Sequence, residues 1–278
     1  MSRSASGTAF CRLVEQTQPR ALRQFEDPVV ARLLDPVLAA MAQSGPVREE
    51  LLGRFGAGTY GCQVMRTRYI DDVVRMQARS GVDQLVILGA GLDTRAYRLA
   101  ELGGTDVFEV DLPEIQRRKQ KALRRVAPTA RRVVFVPADL ARESLAATLE
   151  AAGLDRARPA MFVWEGVTPY LTEAAVRATL AYLGGAAAGS AVVLTYVLRG
   201  VVDGTRGQEW SAAVRQALGP AEPWVFGLEP AEVPGLLAES GLRLVEDVGD
   251  ADFQERYLRP IGRQLVVSPG ERLALAVV

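Results

Sequence analysis

The residues best suited to bind a ligand follow the short apolar run Gln84–Leu88, where the chain reads Gly89-Ala90-Gly91. Two glycines around one alanine let the backbone turn tightly and let a ligand approach it closely. The dinucleotide-binding fingerprint has a third glycine, but Thr94 stands at that position here. A diphosphate is therefore less favoured than S-adenosylmethionine (SAM), which has no phosphate. The turn alone does not decide the ligand, because NAD, FAD and SAM proteins all use one.

Acidic side chains stand at the ends of the apolar runs that come next. The run Asp106–Val110 ends at Asp111, 20 residues after Gly91, which is the spacing of an acid that binds ribose hydroxyls. Glu109 is the alternative, but it lies within the run and only the last residue clears the strand. Asp111 is also placed to cap a helix that begins at Pro113. We expect Asp111 rather than Glu109 to bind a ribose, whether or not it also caps the helix.

The third and fourth apolar runs also end in a carboxylate. Asp139 follows Val133–Val136 and is placed to accept from an adenine amino group while Leu140 packs on the ring. Glu165 follows Ala160–Trp164 and is suited to hold a cationic amino group. One such acid is usually a helix cap or a solvated loop residue. Three of them in step with a glycine turn indicate a nucleoside site at the switch point of a sheet.

A sheet is needed to bring these residues together, and the periodicity of the chain predicts one. Strand-like runs alternate with helix-like stretches, which is typical of a doubly wound α/β sheet covered on both faces. The predicted strands are 84–88, 106–110, 133–136, 160–164, 191–197, 242–247 and 271–278, and the helices between them are 94–101, 113–125, 140–152 and 173–183. We expect a mostly parallel seven-stranded sheet in which 271–278 forms an antiparallel edge.

Residues 1–82 show no convincing strand and predict a helical cap followed by a lead-in helix. Apolar residues recur at helical spacing over 33–41, and the pattern returns from Ile70 to Gln77. Residues 83–278 then form the α/β core, with an insertion around 200–235 on the substrate side that is rich in Gly, Pro and Trp. We expect one domain over 1–278.

The composition excludes several kinds of chemistry and partner. The 278 residues include no histidine, which excludes His-based triads, metal sites and general bases. The formal net charge is zero, so neither nucleic acid nor an anionic membrane is expected as a partner. We found no run of the ~18 apolar residues that a membrane helix needs and no signal peptide, so we expect a cytoplasmic protein. Cys11 and Cys62 lack metal spacing and are expected to be free thiols.

Five segments of the chain occur in the order and at the spacing of a known protein family. They are RTRYIDD, LGAGLDTRAYRL, FEVDLPEIQRRK, ADL and WEGVTPYLTEAAV. Together they resemble the leucine carboxyl methyltransferase family over roughly residues 10–278. That family includes enzymes that methylate the C-terminal leucine of a protein phosphatase, and bacterial methyltransferases that include polyketide O-methyltransferases and mycobacterial members. The resemblance implies a class I, Rossmann-like methyltransferase fold with SAM as cofactor.

The resemblance also implies which residues bind SAM. Arg66 matches the arginine that holds the methionine carboxylate, Asp111 the ribose acid, and Glu165 the acid after the fourth strand. A second basic residue near the N-terminus contacts SAM in the family, and Arg20 is the counterpart that we consider. The complete set of predicted cofactor-binding residues is Arg66, Gly89, Ala90, Gly91, Asp111, Leu112, Asp139, Leu140 and Glu165.

The expected methyl acceptor is a carboxylate or an acidic hydroxyl on a small molecule, such as a secondary metabolite. A carboxylate is ionised at neutral pH and needs no general base, which suits a chain without histidine. The candidate catalytic residues follow the fourth and fifth predicted strands and are Tyr170, Tyr196 and Arg199. Trp210, Trp224 and Phe226 of the insertion either meet the acceptor or pack in the interior. Arg95 and Arg98 are expected to be structural.

Two other functions stay open at this point. An NAD-dependent oxidoreductase shares the glycine turn and the ribose acid, although the chain lacks the third glycine and no Tyr-x-x-x-Lys pair stands out. A non-catalytic protein that keeps the SAM fold is the second alternative. For the methyltransferase we expect a small-molecule partner, no metal, no nucleic acid or membrane, and a monomer or homodimer.

Overall fold

One mixed sheet of seven strands forms the centre of the protein, in a computed structural model that describes residues 3–278 except 55, 57, 141, 142, 144, 207–211, 215, 217, 218, 220 and 221. Its strands are β1 (Gln84–Leu88), β2 (Asp106–Asp111), β3 (Arg132–Pro137), β4 (Met161–Trp164), β5 (Ala191–Val197), β6 (Arg243–Val248) and β7 (Glu271–Val277). They lie in the order β3-β2-β1-β4-β5-β7-β6. Strands β1 to β5 are parallel, and β7 runs antiparallel to β5 and β6. This is the predicted doubly wound, Rossmann-like architecture.

Helices pack around this sheet and precede or follow its strands. The N-terminal ones are α1 (Arg3–Glu15), α2 (Pro36–Gln43), α3 (Gly45–Arg54) and α4 (Thr59–Arg79). After β1 to β5 in turn come α5 (Arg95–Arg98), α6 (Pro113–Leu123), α7 (Leu145–Ala151), α8 (Glu173–Gly184) and α9 (Arg199–Val202). Strand β6 is flanked by α10 (Val233–Glu239) and α11 (Asp250–Phe253).

Neighbouring residues of the central strands are buried on opposite faces of the sheet. In β1, Leu85 and Ile87 join the apolar core that includes residues of α1 and α4. Val86 and Leu88 join the core on the other face, which includes residues of α8. Each of these side chains contributes about 1.5–3 kcal/mol by leaving water. Burial on both faces explains the uninterrupted apolar run in the sequence and fixes the direction in which the strand ends point.

The helix predicted over 33–41 begins later than expected. The carboxylate of Asp35 accepts a hydrogen bond from the backbone N–H of Val37 at 2.9 Å, and Pro36 takes the first helical position. Both features start a new helix there. Leu33 and Leu34 therefore lie before α2, buried in the core without being part of that helix.

The prediction that residues 271–278 form an edge strand is wrong. Strand β7 lies between β5 and β6, and β6 is at the edge of the sheet. The burial of the two strands explains this order: most of β7 is buried, whereas the side chains of β6 are exposed or half-buried except for Val248. A half-polar strand tolerates an edge position better than an apolar one.

Helix α4, which carries Arg66, is fixed by a close contact near its first turn. A Cβ atom on Gly61 would stand 2.0 Å from the carbonyl oxygen of Val266, so a residue larger than glycine does not fit without movement. The thiol of the neighbouring Cys62 donates to the carbonyl oxygen of Ser268 at 3.3 Å. The start of α4 is thereby held against the chain segment that leads into β7.

The substitution Gly61→Ala should lower the free energy of unfolding by about 1–3 kcal/mol, because overpacking forces the helix and residue 266 apart. Gly53→Ala on α3 is the matched control. No atom lies within 4 Å of a Cβ added there, so the higher helix propensity of alanine should leave stability unchanged or raise it by up to about 1 kcal/mol. Urea unfolding curves measure both values. A Gly61→Ala protein as stable as the parent would show that the contact is not restrictive.

Candidate functional site

A cavity of about 510 Å³ opens at the carboxyl ends of the parallel strands, around the boundary between β1 and β4. The chain winds from β1 towards β2 and β3 on one side and then crosses to β4 and β5 on the other, which makes this boundary the switch point of the sheet. The structure brings all nine predicted cofactor-binding residues to the cavity wall: Arg66, Gly89, Ala90, Gly91, Asp111, Leu112, Asp139, Leu140 and Glu165.

The glycine turn after β1 is tied to the end of β2. Gly89 and Gly91 have φ values of +65° and +47°, a backbone conformation that favours glycine. The N–H of Ala90 donates to the carbonyl of Val110 at 2.9 Å, and the N–H of Gly91 donates to the carboxylate of Asp111 at 2.5 Å. The turn and the acid therefore form one rigid unit at the cavity floor.

Asp111 is a desolvated hydrogen-bond acceptor that faces the cavity. Its side chain is mostly buried, and burial raises its pKa while the N–H groups of Gly91 and Leu112 act in the opposite direction. A Cβ atom on Gly91 would stand 4.0 Å from Oδ2 of Asp111, in the space that a ligand needs to reach the carboxylate. A carboxylate in such a place can accept from two neighbouring hydroxyls, so it fits the ribose of SAM.

Glu109 lies within β2 rather than at its end, and it occupies a different environment from Asp111. Its side chain is fully buried and forms an ion pair with Lys119, whose Nζ lies 2.6 Å from Oε2. Burial raises the pKa of Glu109 to about 6, and the ammonium of Lys119 opposes the rise. Glu109 does not line the cavity, so Asp111 is the acid of β2 that meets the ligand space.

Arg66 and Glu165 meet at the end of the cavity assigned to the methionine part of SAM. The Nε of Arg66 lies 2.9 Å from Glu165, its Nη1 lies 2.8 Å from Glu271, and its Nη2 donates to Thr8 at 3.2 Å. Burial alone would lower the pKa of Arg66, but the carboxylates of Glu271 and Glu165 raise it above its ordinary value. The site thus presents a fixed positive charge between two carboxylates, which suits a zwitterionic amino acid group.

A chain of buried ion pairs continues from Glu165 into the protein. Arg95 contacts Glu165 at 2.8 Å, Asp71 at 2.8 Å and also Asp93. Arg98 contacts Asp71 from the other side at 2.5 Å. The two arginines hold the acids of α4, of β4 and of the glycine turn in one network, which agrees with the structural role expected for them.

Arg12, not Arg20, is the basic residue of the N-terminal region that reaches the cavity. Arg20 is largely exposed and lies outside the cavity wall. Arg12 on α1 is buried; it donates to the carbonyl of Leu92 at 2.5 Å and to Thr94 at 3.1 Å. The signal in the sequence was an arginine inside the apolar stretch 9–14, where only a paired charge is tolerated.

Of the three candidate catalytic residues, the structure places only Tyr170 at the cavity. Its hydroxyl is hydrogen-bonded to Trp224 and to Ser4 of α1, and burial raises its pKa. Tyr196 lies within β5, is fully buried, and donates to Asp247 of β6 at 2.5 Å. The hydrogen bonds of Tyr170 with Trp224 and Ser4 join the insertion and α1 to the chain that follows β4.

The structure does not bring Tyr196 and Arg199 to the cavity wall. Tyr196 reaches across β7 to β6, because its side chain projects from a face of the sheet and not from the carboxyl end of β5. Arg199 is half-exposed and binds both carboxylate oxygens of Glu232 at 2.7 and 2.6 Å. The sequence pattern did not reveal either partner.

The insertion contributes to the cavity through the residues that the structure describes. Trp224 lines it, whereas Phe226 is buried in the core, and Trp210 lies outside the described residues. Glu222 also lines it and accepts a hydrogen bond from the backbone N–H of Ser4 at 3.0 Å. Sequence reasoning missed Glu222 because no local pattern distinguishes it from a surface glutamate.

Gln63 is a second cavity residue that the sequence did not indicate. It stands one helical turn before Arg66 on α4, and its Oε1 is buried without a hydrogen-bond partner among the described residues. A buried amide oxygen left unpaired costs about 1–3 kcal/mol, so such an atom at a cavity wall is suited to a ligand that donates.

Other expectations concern the cysteines, metal binding and membrane helices. Cys11 and Cys62 are free, buried thiols, as predicted. Within the described ranges, no group of His, Cys, Asp and Glu side chains is arranged to hold a metal ion. No described helix is long and apolar enough to cross a bilayer.

Lowering the pH should reduce the free energy of unfolding, because Asp93 in the buried network becomes protonated. The substitution Asp93→Asn should remove this part of the pH dependence. Burial alone would raise the pKa of Asp93, but Arg95 and other cations lower it to about 2. Because the unfolded value is about 3.9, this stabilisation is complete above pH ~4 and is lost as the pH falls towards ~2. It amounts to about 2 kcal/mol.

Urea unfolding at several pH values between ~4 and ~2 measures this effect. The Asp93→Asn protein should lose less stability over this range than the parent. Asp72→Asn, which changes a partly exposed carboxylate on α4, is the control and should alter the pH dependence much less. Equal slopes for Asp93→Asn and the parent would contradict the role of the Arg95–Asp93 pair.

Known proteins resemble this chain in sequence. The family model for leucine carboxyl methyltransferases matches residues 5–184. A candidate SAM-dependent methyltransferase of Mycolicibacterium paratuberculosis is 34% identical over 278 residues, with 94% of this chain and 85% of that protein covered. A relative of the same name from Streptomyces coelicolor is 37% identical, and the match covers 72% of this chain and 70% of that protein. The match to a Frankia alni relative, at 43% identity, covers 52% of this chain and spans about half (51%) of that protein.

Solved structures resemble it in fold. A duf574 family protein from Streptomyces avermitilis superposes with a TM-score of 0.58 at 17% identity and covers 96% of both chains. A candidate methyltransferase from Thermobifida fusca gives 0.56 at 19% identity, with 94% and 98% covered. At these low identities the structural similarity supports only the class I methyltransferase fold. The family match and the longer sequence alignments also show the family. The chain belongs to the leucine carboxyl methyltransferase family of SAM-dependent methyltransferases.

Proposed function

We propose that the protein transfers the methyl group of SAM to an oxygen atom of a small molecule, either a carboxylate or an acidic hydroxyl, such as one in a secondary metabolite. One observation carries this proposal: the cavity has two halves of different chemistry. The cofactor half contains the nine predicted SAM residues. The acceptor half is lined by Tyr170, Leu171, Val197, Glu222, Pro223 and Trp224. This second half offers an organic acceptor an apolar wall with few polar groups.

The residue types of the cofactor half fit SAM. Asp111 suits the ribose, Asp139 with Leu140 suits the adenine, and the Arg66–Glu165 pair suits the two charged groups of the methionine part. When bound, SAM supplies a methyl group on a sulfonium that is already activated, so the protein needs to orient the acceptor and exclude water.

Helix α1 and the insertion are placed to exclude water. Residues 4, 5, 7, 8, 11 and 12 of α1 line the cavity from the side opposite the sheet. The N–H of Ser4 at the start of α1 donates to Glu222, and the side chain of Ser4 is hydrogen-bonded to Tyr170. These contacts join α1 to the acceptor half, which supports a role of α1 and the insertion in shielding the reaction from water.

The substitution Asp111→Asn should raise the Kd for SAM at least tenfold, about 1.4 kcal/mol, because an amide replaces a charged acceptor of the ribose hydroxyls. Asp106→Asn is the control: Asp106 stands at the opposite end of β2 and pairs with Arg131 and Arg132 on the surface. The affinity of the Asp106→Asn protein for SAM should stay within twofold of the parent. Calorimetric titration measures the affinity of both variants.

A titration with NADH tests the oxidoreductase alternative. Binding of NADH but not SAM would reject the proposal.

Methyl transfer itself is tested with methyl-labelled SAM and a panel of carboxylic acids, phenols, amines and thiols. We expect label to appear in products of the acids or phenols, because the chain lacks histidine and an ionised or acidic oxygen demands least from a general base. Label that appears only in amines or thiols would reject O-methylation. SAM binding without transfer to any member would favour a non-catalytic protein.

A further inference from the structure

The buried network around Glu165 is one unbroken series of ion pairs between the cavity wall and the interior. Every arginine in it contacts at least one acid at 3.7 Å or less, and no member exposes more than 12% of its side chain. Its members are Arg12, Arg66, Arg95, Arg98, Asp27, Asp71, Asp93, Glu165 and Glu271. Several of them line the cavity, so the charge of the network acts on a ligand bound there.

Over the residues that the structure describes, the network contains five acids and four arginines. Each acid lies within ion-pair distance of an arginine, which favours its ionised form. Burial alone would raise the pKa values of Asp71, Asp93 and Glu165, but the arginines lower all three. The network therefore carries one negative charge in excess. A buried charge without a counter-charge is costly, so this network favours a cationic ligand.

Glu271 is the acid of the network whose charge is least balanced where a ligand binds. Asp27, Asp71 and Glu165 each contact two arginines. Asp93 accepts from both the backbone and the side chain of one arginine. Among the described residues, Glu271 has a single arginine contact, which it makes through Oε1 at 2.8 Å. It is the first residue of β7 and lines the cavity beside the end of β5.

We infer that Glu271 makes the cavity selective for the charge of the cofactor, so that SAM is favoured over its product S-adenosylhomocysteine. Both ligands have the ammonium and the carboxylate of the methionine part, and only SAM has the sulfonium charge. A negative charge on the wall of a cavity of about 510 Å³ attracts that sulfonium through poorly screened distances and needs no direct contact. Methyl transfer leaves a neutral thioether, which loses the attraction. Glu271 thus favours the exchange of product for new cofactor, whichever acceptor is methylated.

The substitution Glu271→Gln removes this charge and keeps a side-chain oxygen that can accept from Arg66. We expect the Kd for SAM to rise about tenfold, or 1.4 kcal/mol, and the Kd for S-adenosylhomocysteine to change less than twofold. Calorimetric titration of the full chain measures both. A residue that only fixes the position of Arg66 would affect both ligands equally. An equal loss for both, or no loss for SAM, would therefore overturn the inference.

Sinefungin separates the effect of charge from the effect of the methyl group, because it has a protonated amine at the place of the sulfonium. Its Kd should rise about tenfold in the Glu271→Gln protein, as for SAM, and a response like that of S-adenosylhomocysteine would contradict the inference. If the variant does not fold, the parent protein decides. SAM and sinefungin should then bind it at least tenfold more tightly than S-adenosylhomocysteine, and equal affinities would overturn the inference.

Glu255→Gln is the control for the loss of one negative charge. Glu255 is exposed, pairs with Arg259 on the surface and does not line the cavity, so the Kd values of all three ligands should stay within twofold of the parent. The outcome is independent of the proposed acceptor, because only binding is measured. A protein that methylated no acid or phenol of the panel would refute the proposed function and leave the selectivity of Glu271 to be judged by these titrations.

Discussion

The ion pairs that join Glu271, Arg66, Glu165 and Arg95 are buried, and the rest of the site depends on them. They connect four separate parts of the chain: β7, the long helix α4, the end of β4 and the short helix α5. Charges removed from water are costly, and breaking one buried pair typically destabilises a protein by about 3–5 kcal/mol. The four elements are therefore constrained to positions in which each charge keeps its partners. The N-terminal helices and the sheet are locked together at the place where the ligand binds.

These buried ion pairs make one half of the cavity charged and rigid. Because the charges of Arg66 and Arg95 are already matched by carboxylates, the cofactor half is rigid before a ligand arrives, and little reorganisation is needed to receive a charged one. The half of the cavity that we assign to the acceptor has a different origin. Its walls come from the chain after β4, the end of β5 and the insertion, and they are joined to α1 through Ser4. The residues that match the family and the residues that form the cavity therefore lie at the same place in the fold.

Much of the sheet and most of the cofactor half could be predicted from the sequence. The predicted strands agree with the observed ones to within one residue at each end, because strands covered on both faces read as apolar runs that end in glycine or acid. Asp111 was distinguished from Glu109 because it is the last residue of its strand, whereas Glu109 lies within it. The errors arose where a partner from a distant part of the chain decides orientation. The hydrogen bond to Asp247 of β6 sets the orientation of Tyr196, and the contact with Glu232 sets that of Arg199. Neither partner could be inferred from the local sequence.

By itself, the sequence determined the α/β class, the glycine turn and the acids at the strand ends. These features are local: they depend on alternation, on the conformational freedom of glycine and on the residue that follows a strand. Only the tertiary structure decided that β7 lies inside the sheet, that Arg12 rather than Arg20 reaches the cavity, and that Gln63 and Glu222 line it. Each of those outcomes depends on which distant segments bury one another, and local periodicity contains no information about such partners.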